Sequence, residues 1–372
     1  MSKLEELIAE LCPDGVEYVD IGSVVNYEQP TKYIVNNTDY NNEFSTPVLT
    51  AGQSFILGYT DEQSGIYYAT KENSVVIFDD FTGAFKWVDF PFKVKSSAMK
   101  MLTTKEDKTF LRYIYHIMSN IGYSSDEHKR LWISVYSQIK IPLPPLPVQR
   151  EIVRILDNFT ELTAELTAEL TARKKQYEYY KNKLFSKVED IQLVTLDMIA
   201  ENCDSKRKPV TSGSRETGDI PYYGASGIVD YVKDYIYDGD YLLISEDGAN
   251  LLARTTPIAF SIFGKTWVNN HAHVLKFDEY ATRRYVEMYL NSIDLTPYIT
   301  GSAQPKLNQK NLNNIKIPLP PLTEQQRIVD ILDKFDTLTT DITKGLPAEI
   351  KARKQQYEYY RDKLLTFKEK ET

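Results

Sequence analysis

The chain is poor in the residues that hold small scaffolds together covalently or through metals. Its 372 residues include only two cysteines, Cys12 and Cys203, and four histidines. Two cysteines so far apart in sequence predict neither a disulfide framework nor a zinc site, so we expect buried thiols. The longest apolar runs are strand-sized, such as residues 75–78, and the amino terminus MSKLEELIAEL is charged and amphipathic. We therefore expect no membrane span and no signal peptide, and a cytoplasmic protein.

An excess of positive charge is also missing. The chain has 44 Lys and Arg against 52 Asp and Glu, a net charge of −8 and a pI near 5.3. Proteins that hold nucleic acid by bulk electrostatics need the opposite balance, so any DNA contact must be local or shared with a partner. Tyrosine is frequent, at 27 residues against 3 Trp. Tyrosine is enriched where proteins meet other macromolecules, so this composition favours an interaction protein.

The chain contains a tandem duplication. Residues 139–163, IKIPLPPLPVQREIVRILDNFTELT, return at 315–339 as IKIPLPPLTEQQRIVDILDKFDTLT, with 17 of 25 positions identical. The ARKKQYEYY that starts at Ala172 returns as ARKQQYEYY from Ala352. The segments between the copies have diverged. Duplicated flanking segments that carry two unlike inserts predict a protein that recognises two different targets at a fixed distance.

The two inserts are predicted to share one mixed α+β fold. Both contain β-branched or aromatic runs separated by Gly, Asn and Asp, and a helical segment closes each near residues 110–118 and 283–291. The pairs Pro47 and Pro221, Ala51 and Ala225, and Ala98 and Ala272 all differ by 174 in number. This constant offset predicts equivalent positions in two copies of one fold.

Each insert ends in prolines followed by a long apolar stripe. Prolines remove backbone donors, so PLPP predicts a stiff domain border, although such a segment could also be a ligand for a polyproline-binding module. Residues spaced three and four apart then predict a first helix of about 40 residues, roughly 60 Å long. A second helix should pair with it and break at Gly345 and Pro347. We expect the amino-terminal residues 4–11 to pack near this second helix, in an almost circular arrangement.

A perfect short repeat lies within the first helix. Glu-Leu-Thr-Ala occurs three times in succession, from Glu161, Glu165 and Glu169. One unit adds about 6 Å of helix, against roughly 3.4 Å for each step of a DNA strand. A helix that gained or lost one unit would keep its apolar stripe. The distance between the targets bound by the two inserts would change. The alternative is a helix that drifted into repetition without consequence.

This architecture resembles the specificity subunit of type I restriction-modification systems, along the whole chain. The resemblance rests on the border Gln-x-x-Ile-Val-x-Ile-Leu-Asp at residues 149–157 and 325–333, and on Gln-Tyr-Glu-Tyr-Tyr at 176–180 and 356–360. It implies an α+β fold with two target-recognition domains joined by two long antiparallel coiled-coil helices, related by a pseudo-two-fold axis. The boundaries we assign are residues 1–147 for an N-terminal segment and the first recognition domain, 148–187 for the central spacer helix, 188–322 for the second domain and 323–372 for the distal helix.

The resemblance also implies a function and partners. Each recognition domain would read one half of a split, asymmetric DNA site, and the helices would set the gap. Two modification subunits would supply S-adenosylmethionine and adenine methylation, and motor-nuclease subunits would use ATP and Mg, so that this chain needs no cofactor of its own. The acidic net charge is then acceptable, since the partners also surround the DNA.

Candidate DNA contacts are polar loop residues at similar places in both inserts, because Arg and Lys bind guanine and Asn and Gln bind adenine in the major groove. In the first domain they are Gln53, Lys86, Lys93, Lys95, Lys129 and Arg130. In the second they are Lys206, Arg207, Arg254, Asn269, Asn270, His271, Lys306 and Gln309. Any of these residues could instead be an ordinary surface side chain.

The ends of both long helices offer a second kind of site. Basic residues crowd there, either as a solvated face near the negative end of the helix dipole or as contacts to DNA or the modification subunits. Tyrosines also cluster there and cannot all face one helix pair, so we predict that some bind a partner: Tyr177, Tyr179, Tyr180, Tyr357, Tyr359 and Tyr360.

Enzymatic motifs are incomplete in this sequence. Residues 263–266, FGKT, resemble the end of a phosphate-binding loop, but Ala259 stands where its first glycine belongs. Residues 219–222, DIPY, resemble an adenine methyltransferase motif only faintly. Asp79 and Asp80 suit an ordinary loop after a strand better than a nuclease site, and the two histidines His271 and His273, which a strand would point the same way, have no evident third zinc ligand. We therefore predict a non-catalytic chain, with a protein-binding coiled-coil adaptor and a stand-alone restriction or methylating enzyme as the rivals.

Overall fold

The computed structural model describes residues 2–52, 54–105, 108–121, 130–186, 191–301 and 303–371. The chain folds into two compact units. The first comprises Met1–Leu166 and Ile350–Thr372, and the second comprises Thr167–Glu349. The two boundaries fall inside helices, one in the long helix Leu146–Ser186 and one in the helix Leu346–Leu364. The first unit therefore combines the amino-terminal part of the chain with its carboxyl-terminal segment, whereas the second unit is continuous in sequence.

The helices and strands alternate irregularly along the chain, as in α+β proteins. The helices are α1 (Lys3–Leu11), α2 (Ile21–Val24), α3 (Leu111–Asn120), α4 (Leu131–Ser134), α5 (Leu146–Ser186), α6 (Asn250–Ala253), α7 (Tyr280–Ser292), α8 (Gln309–Asn313), α9 (Leu322–Thr340) and α10 (Leu346–Leu364). The strands of the first unit are β1 (Glu17–Asp20), β2 (Val25–Glu28), β3 (Thr46–Leu49), β4 (Ile56–Thr60), β5 (Val75–Asp79), β6 (Phe85–Val88), β7 (Lys93–Val94), β8 (Met99–Thr104) and β9 (Lys140–Leu143). Those of the second are β10 (Leu193–Thr195), β11 (Glu201–Asn202), β12 (Thr217–Gly224), β13 (Gly227–Val232), β14 (Tyr237–Asp238), β15 (Tyr241–Ser245), β16 (Ala259–Ile262), β17 (Lys265–Val268), β18 (Ala272–Lys276) and β19 (Lys316–Pro318).

The first unit is built on two small sheets. One has the strand order β2-β8-β5-β6 and the other β4-β3-β7, while β1 pairs with β9. The central strand β5 is VVIFD, and its four apolar residues are fully buried. A continuous β-branched and aromatic run of this length predicts a strand covered on both faces. Its side chains supply both apolar clusters of the unit, since Val76 and Phe78 lie in one and Val75 and Ile77 in the other.

The second unit repeats this plan. Its sheets have the orders β11-β18-β15-β16 and β13-β12-β17-β14, and β10 pairs with β19. Strand by strand the order matches the first unit, with β14 as an addition. In both units one strand pair is parallel, β3 with β7 and β12 with β17, whereas the neighbouring pairs are antiparallel. The predicted common fold of the two inserts is confirmed.

The offset of 174 is also confirmed around β3 and β12, but not throughout. Both strands carry a register shift at the same point, between Val48 and Leu49 in one and between Tyr222 and Tyr223 in the other. The predicted pairing of Ala98 with Ala272 is wrong by one residue. The amide of Asp80 donates to Ala98, and the equivalent amide of Glu246 donates to His271. The loops between the strands differ in length, and the offset therefore changes along the chain.

The repeated border sequence attaches each set of strands to a spacer helix through the same three contacts. The Gln149 side chain donates to the Pro144 carbonyl at 2.7 Å, and Gln325 donates to Pro320 at 2.7 Å. The hydroxyls of Tyr113 and Tyr285 donate to the carbonyls of Pro142 (3.0 Å) and Pro318 (2.7 Å). The third contact is an ion pair at 2.8 Å in each unit, Arg112 to Asp157 and Arg284 to Asp333. The identical residues of the duplication thus preserve the junction between domain and helix.

The spacer helices pair within each unit through stacked aromatic rings. Phe159 of α5 stacks on Tyr360 of α10 with ring centroids 5.4 Å apart, and Phe335 of α9 stacks on Tyr180 of α5 at 5.8 Å. The predicted helix of about 40 residues is α5, with 41. It begins at Leu146 and includes Pro147, because proline is tolerated in the first turn of a helix.

The distal helix is interrupted where the sequence predicts. Between α9 and α10 the amide of Gly345 donates to the Asp341 carbonyl. A Cβ atom at Gly345 would collide with the carbonyl oxygens of Thr337 and Leu338, so only glycine fits this turn. The predicted packing of the amino-terminal helix is also confirmed, since Leu4 of α1 shares an apolar cluster with Leu364 and Leu365. None of the helices in the described ranges is both long and apolar enough to span a membrane.

Candidate nucleic-acid interface

In the second unit, four loop segments meet at the carboxyl end of the central strand β15. The Ser245 hydroxyl donates to Ala225 in the β12–β13 turn at 2.5 Å. The amide of Glu246 donates to His271, in the loop after β17, and the amide of Leu307 donates to Glu246 at 2.7 Å. The amide of Gly248 donates to Pro305. Short loops carried by a rigid sheet in this way are where binding residues are usually found.

A buried charge network lies beneath these loops. The Glu246 carboxylate is joined to Arg207 and to Lys306, the latter at 3.0 Å. Arg207 also pairs with Asp204 at 3.2 Å, and His273 Nδ1 lies 2.6 Å from Asp204. Burial alone would raise the pKa of both carboxyl groups. The cations and hydrogen bonds around them outweigh burial and hold the pKa of Asp204 and of Glu246 below the ordinary value.

His273 connects two segments of the chain in this network. Its Nδ1 faces the Asp204 carboxylate and its Nε2 faces the Leu307 carbonyl at 2.7 Å. His273 thereby links the Asp204 carboxylate to the segment that contains Leu307. Asp204, Glu246 and His273 bring three potential metal-ligand atoms within 4.8 Å of one another. Arg207 already neutralises both carboxylates, so this cluster suits a salt-bridge network better than a metal site.

The first unit has the same arrangement with different residues. Asp80 follows the central strand β5 and is buried; the amide of Leu131 donates to its carbonyl at 2.7 Å, and the amide of Trp132 to its carboxylate at 2.9 Å. Lys100 lies 3.3 Å from the same carboxylate. Asp80 is therefore equivalent to Glu246, and the buried cation Lys100 is equivalent to His273.

By the same equivalences, four of the residues predicted to contact DNA form two pairs, with one member of each pair in each domain. The amides of Lys95 and Asn269 make the same bond, to Leu49 and to Tyr223 respectively. Arg130 and Lys306 both directly precede the residue whose amide donates to the buried acid, Leu131 or Leu307. Lys95, Arg130 and Lys306 are exposed. An exposed cation thus stands beside the buried carboxylate in each domain, which is the local positive charge that an acidic DNA-binding chain requires.

Other predicted contacts remain on the surface. Asn270 and His271 are exposed in the loop after β17, and His271 lies 2.9 Å from Asp247. Lys206 is exposed in the turn that holds Arg207, and Gln309 is exposed at the start of α8. Lys86 is partly exposed on β6, opposite Ile77. These residues stay candidates for DNA contact.

Four predicted DNA contacts are used inside the protein instead. Lys93 is 1% exposed, and its ammonium pairs with Glu62 at 2.7 Å. Arg207 belongs to the buried network. The left-handed Arg254 donates to the carbonyls of Leu290 and Ile293 and so caps α7; its burial lowers its pKa. The Asn269 side chain is buried and accepts from the amide of His271. We remove these four from the candidate contacts because their polar atoms are engaged within the fold.

Two further candidates, Gln53 and Lys129, lie outside the described residues. The expectation that His271 and His273 point the same way on a strand is wrong. His271 precedes β18 and its side chain is 51% exposed, whereas His273 lies within β18 and its side chain is 1% exposed. The segment FGKT spans the turn between β16 and β17. A phosphate-binding loop leads from a strand into a helix, so this segment has the wrong context.

Asp204 and Glu246 have a structural importance that was not predicted from the sequence. A signal was present in the pattern, because an apolar strand is followed by adjacent acids in both inserts, at Asp79 and Asp80 and at Glu246 and Asp247. An acid directly after a fully buried strand has little access to water, so a buried partner is to be expected.

The tyrosines proposed as partner contacts divide into two groups. Tyr180 and Tyr360 stack on phenylalanines, and Tyr177 lies 6.2 Å from the Phe335 ring. Burial raises the pKa of Tyr177 to about 12. The hydroxyl of Tyr357 lies 3.2 Å from His116. By contrast, Tyr179 and Tyr359 are 59% and 62% exposed, and they occupy equivalent positions in the duplicated motif.

Comparisons with known proteins agree with this architecture. The family model described as type I restriction modification DNA specificity domain matches residues 13–173 and again 188–352. The chain belongs to this family. It is 44% identical to the specificity subunit of the type I restriction enzyme EcoR124I/EcoR124II of Escherichia coli, over 100% of this chain and 98% of that protein. It is also 38% identical to the EcoprrI specificity subunit of Escherichia coli, over 54% of this chain and 52% of the relative.

Solved structures show the same fold at lower sequence similarity. The S subunit of a type I restriction-modification system from M. genitalium superimposes with a TM-score of 0.63 at 17% identity, covering 94% of this chain and 96% of that one. A chain from a study of complex assembly and conformational transition of the type I system gives 0.55 at 17% identity, covering 95% and 98%. The α+β fold with an internal repeat, predicted from the sequence of this specificity-family chain, is thereby confirmed.

Proposed function

We propose that this chain is the DNA-recognition subunit of a type I restriction-modification complex, in which each unit reads one half of a split, asymmetric site. The observation that carries the proposal is the repeated recognition domain. Two domains of one topology present exposed cations at equivalent positions, while the residues around those cations differ. Two domains that share a topology but differ in their loop residues can recognise two different base sequences, because base readout depends on loop side chains.

The spacer helices would set the gap between the half-sites. Each unit attaches its recognition strands to a helix through the same proline carbonyls and the same Arg–Asp pair. Because this junction is rigid, a change in helix length would change the spacing of the two recognition domains.

Methylation and cleavage would be carried out by partners. We propose that two modification subunits bring S-adenosylmethionine and methylate adenine, that motor-nuclease subunits use ATP and Mg, and that this chain is not itself catalytic. The net charge of −8 supports shared DNA binding, because few phosphates could be neutralised by this chain alone.

The exposed tyrosines of the duplicated motif could bind two copies of the same partner. Tyr179 and Tyr359 lie in the same motif at the ends of the two spacer helices and are exposed to nearly the same degree. Aromatic residues with a polar tip are favoured at protein interfaces. We propose these two side chains as equivalent contacts for the two modification subunits.

The exposed cations provide a direct test. We expect Arg130→Gln and Lys306→Gln each to weaken methylation on the order of tenfold, with each variant relaxing a different half of the methylated motif, because each removes a charged contact from one domain. Adenine methylation would be mapped across the genome of a methylation-free host that expresses the cognate modification subunit and the variant.

Lys276→Gln is the matched control. Lys276 is exposed at the far end of β18, four residues from Ala272 and so roughly 13 Å from the interface end of that strand. This variant should leave both half-sites unchanged. If Lys276→Gln relaxed the motif as much as Lys306→Gln does, the interface would be wrongly placed.

A further inference from the structure

The buried acid at the end of the central strand contacts several loops of the candidate interface at once. Glu246 is 8% exposed, yet its carboxylate, carbonyl and amide all make contacts with neighbouring segments. The carboxylate binds Lys306 and Arg207, the carbonyl accepts from Leu307, and the amide donates to His271. The side chain and the backbone of Glu246 together therefore join three segments: the one with Lys306 and Leu307, the one with Arg207 and the one with His271.

Arg207 passes the effect of Glu246 on to the loop after β17. Its guanidinium donates to the Ala272 carbonyl at 2.9 Å and to the Asn270 carbonyl at 3.5 Å. Asn270 and His271 are exposed candidates for base contact in that loop. The position of the loop therefore depends on a guanidinium that is itself held by Glu246.

The same acid holds the cation-bearing segment. Lys306 follows Pro305 and exchanges two backbone hydrogen bonds with Thr300, both at 2.8 Å. The Glu246 carboxylate then binds its ammonium at 3.0 Å. An ammonium held in this way keeps donors for a second partner, since it has three of them. The contact aligns the side chain without using up its capacity to bind DNA.

The first domain has the equivalent acid with a simpler set of partners. Asp80 is 1% exposed and accepts from the amides of Leu131 and Trp132, which begin α4 directly after Arg130. Lys100 balances its charge at 3.3 Å. In both domains, a buried acid thus contacts the segment that carries the exposed cation. Asp80 does so through the amides that follow Arg130, and Glu246 does so through the Lys306 ammonium and the Leu307 amide.

We propose that Glu246 and Asp80 are equivalent positioning residues for half-site specificity, each setting the geometry of the DNA-contacting loops of its own domain without touching DNA. This inference rests on the proposed function. A charged group that orders loops from below acts on recognition through preorganisation, because loosened loops lose the fixed side-chain geometry that distinguishes bases.

The test is the methylated motif produced by Glu246→Gln together with the cognate modification subunit. The amide keeps the shape of the side chain but loses the charge that holds Arg207 and Lys306. We expect methylation at sites mismatched in one half to rise about tenfold relative to matched sites, with the other half and the gap unchanged. The relaxed half must be the one that Lys306→Gln relaxes, and Asp80→Asn must relax the opposite half.

Two additional variants separate positioning from simple stability. Glu246→Asp keeps the charge and should relax the motif less than Glu246→Gln. Arg207→Gln should relax the same half, and the double variant with Glu246→Gln should be no more relaxed than the stronger single variant, because the two residues act as one unit. If Glu246→Gln does not accumulate as a complex, Arg207→Gln, which leaves the contact to Lys306, is judged by the same criterion.

The outcomes are distinct. Glu216→Gln, in the exposed pair with Lys233, is the control and should change nothing. A Glu246→Gln protein that melts at lower temperature but methylates an unaltered motif, or one that relaxes both halves equally, would overturn the positioning role. Absence of any motif with the unaltered chain would instead overturn the proposed function.

Discussion

Deletion of residues 165–168, one Glu-Leu-Thr-Ala unit, is expected to change the gap in the methylated motif and to leave both half-sites as they were. The deletion shortens α5 by about 6 Å and changes the rotation along it by roughly 40° beyond a full turn. At roughly 3.4 Å for each step of a DNA strand, this corresponds to a gap shorter by one or two base pairs. The measurement is the methylated motif of the shortened chain.

The position of the repeat within α5 supports this expectation. Leu162, Leu166 and Leu170 are partly buried and four apart, so removing one unit brings the next leucine into the same position. Contacts of α5 with the recognition domains lie on either side of the repeat, at Asp157 in the first unit and at Leu184 and Phe185 in the second.

Glu165→Gln is the control for the deletion, because it changes the same repeat at constant length. It should leave the motif, including its gap, unaltered. Altered half-sites with an unchanged gap in the deletion variant would contradict the roles assigned here to helix and domain.

The second large effect is expected from Arg284→Met, which should lower the free energy of unfolding of the second unit by about 3 kcal/mol. Arg284 lies on α7 and pairs with Asp333 at 2.8 Å, with Asp336 at 3.0 Å and with Glu287. The acids around Arg284 hold its pKa above the ordinary value despite burial. Burial raises the pKa of Glu287, so without the guanidinium this carboxyl group would be still harder to ionise.

Urea denaturation followed by circular dichroism measures this effect. For a unit of this size, 3 kcal/mol corresponds to a midpoint lower by about 1 M urea. The matched control is Arg327→Met on α9, where an exposed pair with Glu324 is worth under about 1 kcal/mol. Equal shifts for the two variants would show that the junction between α7 and α9 does not depend on Arg284.

Most of the helical framework and its junctions with the domains could be predicted from the sequence. The duplicated border predicted both junctions, the 3.6-residue period predicted α5 and α9, and Gly345 with Pro347 predicted the break before α10. These features are local or repeated, and a pattern along the chain is sufficient to detect them. The numbering offset of 174 between equivalent residues holds only where the loops of the two inserts have equal lengths. It was therefore right at Pro47 and wrong by one residue at Ala98.

The site was predicted less well, for a physical reason. Whether a loop cation faces solvent or the interior depends on the strands around it. Lys93 is held by Glu62, in the loop after β4, and Arg207 is held by Glu246, 39 residues later in the chain. Neither partner has a fixed sequence spacing. Arg130 and Lys306 were predicted as surface contacts and are exposed, but their equivalence became visible only from the backbone bonds of the residues that follow them.

The most direct measurement is genome-wide adenine methylation in a methylation-free bacterial host that expresses the cognate modification subunit, with and without this chain. If the chain is the DNA-recognition subunit, a split, asymmetric methylated motif will appear only when the chain is present. A stable complex of the two proteins that produces no such motif would contradict this role, and would favour a protein-binding adaptor built on the same helices.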